Sequence, residues 1–171
     1  MILWISGAYG VGKSTLAEAL QQSLPNSLIF DAEEVGNAVR ENYPNCPYGY
    51  IFEDYPLWSE FCVRLLQDIH TNFHRDILVP MTLLREHSYP RIIQRLKDPG
   101  IDVRLILLEA SIESVHDRIL ARGEDEDCWC MENALLAIAG TAALPADLRI
   151  NTNDCSVESI AAKVLAWLDT I

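Results

Sequence analysis

Apolar positions along this chain follow two habits. Short unbroken apolar runs recur: Ile2-Leu3-Trp4-Ile5, Leu28-Ile29-Phe30, Ile77-Leu78-Val79-Pro80-Met81-Thr82, Val103-Arg104-Leu105-Ile106-Leu107-Leu108 and Leu148-Arg149-Ile150. Their length and their Ile, Leu and Val content suit strands buried on both faces. Between the runs, apolar residues fall three or four apart, the spacing of one helix face. Leu16, Leu20 and Leu24 form the first such pattern, and Leu57 to His74 reads as an amphipathic helix with Phe61, Leu65, Ile69 and Phe73 as its stripe. Glu86 to Lys97 reads as mostly helical, broken around Tyr89-Pro90. Ser111 to Arg122 places Ile112, Val115, Ile119 and Leu120 inward, and Met131 to Thr141 and Val157 to Leu168 complete the set. Five strands alternating with helices predict an α/β fold, a five-stranded parallel sheet flanked by helices as a three-layer sandwich. With no repeat, linker or low-complexity segment, a single domain over residues 1–171 is expected.

The first junction carries the chemistry. Gly7-Ala8-Tyr9-Gly10-Val11-Gly12-Lys13-Ser14-Thr15 follows the first strand and opens the first helix. That is the setting of a P-loop, in which glycines let successive backbone N–H groups reach phosphate oxygens. The helix start adds unpaired N–H groups and the positive end of its dipole. Lys13 is expected to reach the β- and γ-phosphates of a nucleoside triphosphate, and Ser14 to place its hydroxyl on Mg²⁺.

Other candidates follow in order. Asp31 stands past the second strand, where it can cap the next helix or accept a proton at the mouth of the sheet. Residues 43–58 are aromatic and broken by Pro44, Pro47 and Pro56, which suits either a ligand wall or a loop packed by its own rings. Thr82 is expected to open onto the site, because Pro80 stops strand pairing nearby. Glu109 mimics the magnesium-shell acid of a strand end, a position where many small P-loop proteins carry a plain polar residue, and a magnesium role is not favoured for it. Arg118 and Arg122 lie four apart at one helix end, either aimed at a nucleotide or paired as surface charge. Glu124-Asp125-Glu126-Asp127 repel one another, so residues 123–131 are expected to form a lid. His70 and His74 share a face but lack a third ligand, and zinc is not expected.

Charge narrows the partners. A net charge of −12 argues against nucleic acid or an anionic membrane as the main partner. Five cysteines, an odd number without a C-x-x-C pair, fit a reduced cytoplasmic setting. The P-loop begins at residue 7, so a secretory leader is not expected, and the uncharged run Asn133 to Ala146 is too short to span a bilayer.

Together these residues resemble small P-loop kinases, such as those for shikimate, gluconate and chloramphenicol. A closer resemblance is to the tunicamycin-resistance protein family. It is carried by Met1 to Ala8, Phe30-Asp31 with Gly36 and Arg40, Asp54-Tyr55-Pro56-Leu57-Trp58, and Ile77 to Thr82. The resemblance implies a nucleotide-kinase-like P-loop NTPase fold, ATP binding and, for some members, resistance to a nucleoside-type antibiotic. Asp31 would then be the general base and Arg40 a substrate or phosphate contact, with Tyr55 and Trp58 beside the substrate. Arg118 would lie by the adenine, Arg122 would close over the phosphates, and Thr152 and Asn153 would border the base. The chain ends at Ile171 without the basic amphipathic tail of such members, so membrane attachment is not expected here. Two activities fit: Mg-ATP-dependent phosphoryl transfer to a hydroxyl of a small nucleoside- or sugar-like molecule, or ATP-driven sequestration of a hydrophobic ligand.

Overall fold

A computed structural model describes residues 1–45 and 48–170. Five strands, β1 (Ile2–Gly7), β2 (Ser27–Ile29), β3 (Asp76–Pro80), β4 (Val103–Glu109) and β5 (Leu148–Asn151), form one parallel sheet in the order β2-β3-β1-β4-β5. β1 lies at the centre, pairing with β3 from Ile2↔Ile77 and with β4 from Ile2↔Val103. All six of its residues are buried, because each sheet face is covered. Alternation then divides them between two cores. Ile2 and Trp4 join Ile77, Val79, Leu105 and Leu107 under α3 (Pro56–Phe73). Leu3 and Ile5 join Leu78, Ile106 and Leu108 under α1 (Lys13–Ser23) and α8 (Val157–Leu168).

Several helix boundaries have a local cause. Asp31 caps α2 (Ala32–Glu41) through its carboxylate, Pro56 opens α3 where its missing N–H costs nothing, and Ser111 caps α5 (Ile112–Ala121). His74 ends α3 in the left-handed region at φ 51°, so its backbone role separates it from His70.

Four expectations need correction. Leu120, expected to face inward on α5, is exposed. Most of the four-apart stripe of α3 faces outward: Phe61, Leu65 and Phe73 are exposed, as is Leu57, whereas Ile69 packs against the core, and the buried positions are Trp58, Ser59, Cys62, Val63 and Leu66. Pro90 does not break a helix. It sits in the first turn of a π-helical stretch, Tyr89–Gln94, that runs into α4 (Arg95–Lys97). Met131 to Thr141 is two helices, α6 (Trp129–Glu132) and α7 (Ala134–Ala142), joined at Asn133. A third core of Ala8, Leu84, Val115, Ile119, Ala134 and Ala137 ties these helices beneath the glycine-rich loop. Among the described residues no helix is long and apolar enough to cross a membrane.

Candidate functional site

The loop between β1 and α1 needs its glycines for two different reasons. A Cβ on Gly7 would meet the Leu108 carbonyl oxygen at 2.5 Å and Val11 Cγ1 at 2.8 Å, so β4 leaves no room for a side chain. Gly12 caps α1 at φ 106° with nothing within 4 Å of its missing Cβ. There the backbone conformation, rather than crowding, selects glycine. The result is an open space at the amino end of an eleven-residue helix, lined by backbone N–H groups.

Lys13 lies inside this curl. Its ammonium donates to the carbonyls of Gly7 at 3.2 Å and Ala8 at 2.9 Å and stands 5.8 Å from the Tyr9 ring centroid. Burial lowers its pKa to about 8, opposed by Glu33 and assisted by Arg122. The Tyr9 phenol is pushed up by burial and by Glu53, and so stays protonated. Thr82 does not open onto the site as expected. It is buried and donates to the Gly7 carbonyl at 2.8 Å, bracing the loop from beyond β3.

Ser14 and Asp31 border one cavity of about 200 Å³ with Glu18, Ile29, Glu33 and Pro80. Asp31 Oδ1 accepts from the N–H of Glu33 at 2.9 Å and of Glu34 at 3.2 Å. Capping and a position on the cavity therefore coexist. Arg40 lies along α2, donating to Asn37 Oδ1 at 2.8 Å, with its guanidinium 5.1 Å from the Phe52 ring centroid.

On the opposite side, Arg118 donates to the Val11 carbonyl at 3.3 Å, to Thr152 Oγ1 at 2.9 Å and to the Thr152 carbonyl at 2.6 Å. These contacts bind α5 to the loop and to the end of β5, around a cavity of about 180 Å³ that includes Val11, Gly12, Thr15 and Thr152. Thr152 is fully buried, and Asn153 Oδ1 accepts from the Ser111 N–H at 3.0 Å, so both fix that wall. Arg122 is half exposed and pairs with Glu124 at 2.5 Å at the foot of the acidic stretch. Glu109 pairs with Arg149 at 2.7 Å. No group of three His, Cys, Asp or Glu among the described residues is placed to hold a metal. Mg²⁺ typically takes one or two protein oxygens plus phosphates, which the exposed Ser14 hydroxyl suits.

The aromatic segment divides in two. Cys46 and Pro47 lie outside the described residues. Tyr55 and Trp58 are fully buried and do not face a substrate: the Tyr55 hydroxyl donates to the Gly49 carbonyl, and the Trp58 indole donates to the Ala32 carbonyl at 2.8 Å. Tyr43, Tyr48 and Phe52 pack against the Tyr55 ring in edge-on or tilted contacts. Tyr50 instead is exposed and stands 6.4 Å from Trp129, whose ring meets Tyr9 edge-on at 4.8 Å. The glycine-rich loop, the start of α6 and the aromatic segment thus meet through Tyr9, Trp129 and Tyr50.

Sequence reasoning missed the polar staple below that point. Glu53 is buried and its carboxylate accepts from the N–H of Leu84 at 2.6 Å, of Arg85 at 3.0 Å and from the Ser88 hydroxyl. Burial raises its pKa against these bonds. Asp54 forms a two-pronged pair with Arg85, at 3.0 Å to Nε and 2.8 Å to Nη2. The available signal was two adjacent acids inside an aromatic stretch, which charge patterning alone does not connect to Arg85.

The same chain path occurs in solved structures. It superposes on the tunicamycin resistance protein of Deinococcus radiodurans with a TM-score of 0.79 at 24% identity, over 98% of this chain and 94% of that one. A gluconokinase from Sinorhizobium meliloti 1021 gives 0.68 at 14% identity, over 98% and 91%. The Mycobacterium tuberculosis APS kinase, in complex with AMPPNP and APS, gives 0.67 at 18% identity, over 98% and 96%. These likenesses establish the P-loop kinase-like fold. No curated protein matches the sequence. A family model described as an AAA domain matches residues 2–139, and the chain belongs to that family.

Proposed function

We propose that this protein is an Mg-ATP-dependent phosphotransferase acting on a hydroxyl of a small nucleoside- or sugar-like molecule. The observation that carries the reading is the single cavity bordered by both Ser14 and Asp31. A P-loop serves many proteins; a carboxylate on the same cavity, past the second strand, supplies an acceptor-side base. Gly7 to Thr15 would hold the triphosphate, with Lys13 exchanging its two carbonyl partners for phosphate oxygens. Mg²⁺, when bound, screens the phosphate charge, and Ser14 would be its protein ligand. The Arg118 and Thr152 wall would border the base, and Arg122, freed from Glu124, would close over the transferring group. Asp31 keeps Oδ1 on its helix cap, which fixes the carboxylate and directs Oδ2 as the proton acceptor.

The acidic surface and the unpaired Cys62, Cys128, Cys130 and Cys155 support a cytoplasmic protein without a nucleic-acid partner. Sequestration is the weaker reading, since most of the aromatic faces at 43–58 pack on one another. The kinase names of two structural neighbours add to the case by analogy.

The test is Asp31→Asn. Calorimetry with Mg-AMPPNP should show affinity near wild type, while transfer of labelled phosphate to a nucleoside and sugar panel drops about 10²–10⁴-fold. Equal turnover in the variant removes Asp31 from the mechanism. Phosphate-free ligand recovered from a tight ATP-dependent complex would establish sequestration instead.

A further inference from the structure

The Lys13 ammonium sits on two carbonyls, and each already has a second donor. The Gly7 carbonyl accepts from Lys13 at 3.2 Å and from the Thr82 hydroxyl at 2.8 Å. The Ala8 carbonyl accepts from Lys13 at 2.9 Å and from the Val11 N–H at 3.3 Å. A carbonyl oxygen has two lone pairs, so both donors fit at once. Gly7, Ala8 and Thr82 are buried. An ammonium that left a buried carbonyl with no other donor would have to offset the cost of an unpaired acceptor. Here neither carbonyl is stranded when Lys13 moves.

The Thr82 hydroxyl takes the place of a ladder N–H. Met1 and Ile5 turn their carbonyls to the N–H groups of Ile77 and Met81, and period-two alternation turns Gly7 the same way. The next N–H in line, that of Leu83, is given to the buried Ser6 hydroxyl at 3.0 Å. Thr82 therefore reaches Gly7 with its side chain. Its own position does not depend on Lys13: the Trp4 indole donates to the Met81 carbonyl at 2.8 Å, and Glu53 holds the N–H groups of Leu84 and Arg85. Contacts on both sides keep the hydroxyl aimed at Gly7 wherever the ammonium goes.

We propose that Thr82 is a positioning residue for nucleotide binding: its hydroxyl keeps the Gly7 carbonyl paired while the Lys13 ammonium transfers to phosphate oxygens. The proposal rests on the nucleotide reading of the loop and adds a residue that acts through Lys13.

Calorimetry with Mg-AMPPNP and thermal unfolding of the full chain test it. In unliganded Thr82→Val, Lys13 still pairs the Gly7 carbonyl, so melting should lie within about 2 °C of wild type. Its affinity for Mg-AMPPNP should fall about 10–100-fold, because the carbonyl is unpaired only once Lys13 has left. Thr82→Ser keeps the donor and should bind as wild type does. In Lys13→Met no ammonium backs the hydroxyl, so adding Thr82→Val to that variant should lower its melting by about 4 °C or more. Equal melting losses in the two backgrounds, or a Thr82→Val protein that does not fold, overturn the proposal, since Thr82 then only braces the loop. Wild-type affinity in Thr82→Val overturns it too, as does Thr82→Ser binding as weakly as Thr82→Val. Each of these results leaves the nucleotide reading standing. Wild-type protein that binds no AMPPNP overturns that reading, and the role of Thr82 with it.

Discussion

Lys13 is held by two carbonyls and the edge of a cationic contact with Tyr9, and its pKa of about 8 records how poorly that setting hydrates an ammonium. The sign of the consequence follows. In the unliganded protein the side chain is charged below about pH 8 and loses its proton above. Phosphate oxygens favour the charged form, so nucleotide binding above that pH must include proton uptake. Calorimetric affinity for Mg-AMPPNP should fall by up to tenfold per pH unit above about pH 8. Binding measured in buffers of differing ionisation heat should register the proton. Lys13→Arg, which keeps a charge throughout this range, should bind with little pH slope, though its fork fits the narrow curl poorly. Equal slopes in the two proteins would place the titrating group elsewhere. At this scale the sequence was informative for Lys13, Ser14 and Asp31, because a motif or a strand end fixed each one locally. It was silent on Glu53 and Arg85, whose meeting spans 32 residues and depends on how two loops fold against each other.

The helix α3 shows where periodicity misleads. Two apolar stripes run along it, one residue apart, and either satisfies four-residue spacing. Trp58, Cys62 and Leu66 are buried, whereas Leu57, Phe61 and Leu65 line an open groove of about 930 Å³ with Val35, Ala38 and Tyr43 of the neighbouring segment. What decides between them is tertiary: Pro56 sets the start of the helix, and the Trp58 indole hydrogen bond to Ala32 fixes its rotation. A pattern counted along one helix carries neither fact. The stability consequences separate cleanly. Trp58→Ala should cost about 3–5 kcal/mol in urea unfolding, since it opens a void and orphans the Ala32 carbonyl. Phe61→Ser at an exposed site should lie within about 0.5 kcal/mol of wild type. Similar losses from both substitutions would mean the second stripe is also buried in solution.

At the scale of the whole molecule, the glycine-rich loop joins two of the three cores to the centre of the sheet. It leaves β1 at the sheet centre, Val11 belongs to the core under α1 and α8, Ala8 to the core with α5 and α7, and Thr82 braces it from the end of β3. The five runs of apolar residues made this architecture legible, because strands buried on both faces and helices between them admit few parallel arrangements. Residues 123–131 and the aromatic segment were less legible, since their contacts depend on segments distant in sequence, such as Tyr9 with Trp129. A ligand seated in a loop so widely connected should stabilise the molecule as one unit. Mass action sets the size: at a hundred times Kd the gain is about 2.7 kcal/mol. For a chain of this length that corresponds to a rise in melting temperature of roughly 5–10 °C. The rise should follow the logarithm of Mg-AMPPNP concentration and be reported equally by far-ultraviolet circular dichroism and tryptophan fluorescence. Gly7→Ala, whose Cβ collides with the Leu108 carbonyl, should lower the unliganded melting temperature and abolish the nucleotide-dependent rise. A wild-type transition indifferent to nucleotide, or a fluorescence midpoint that shifts while the dichroism midpoint does not, would show that the loop is not the hub these contacts describe.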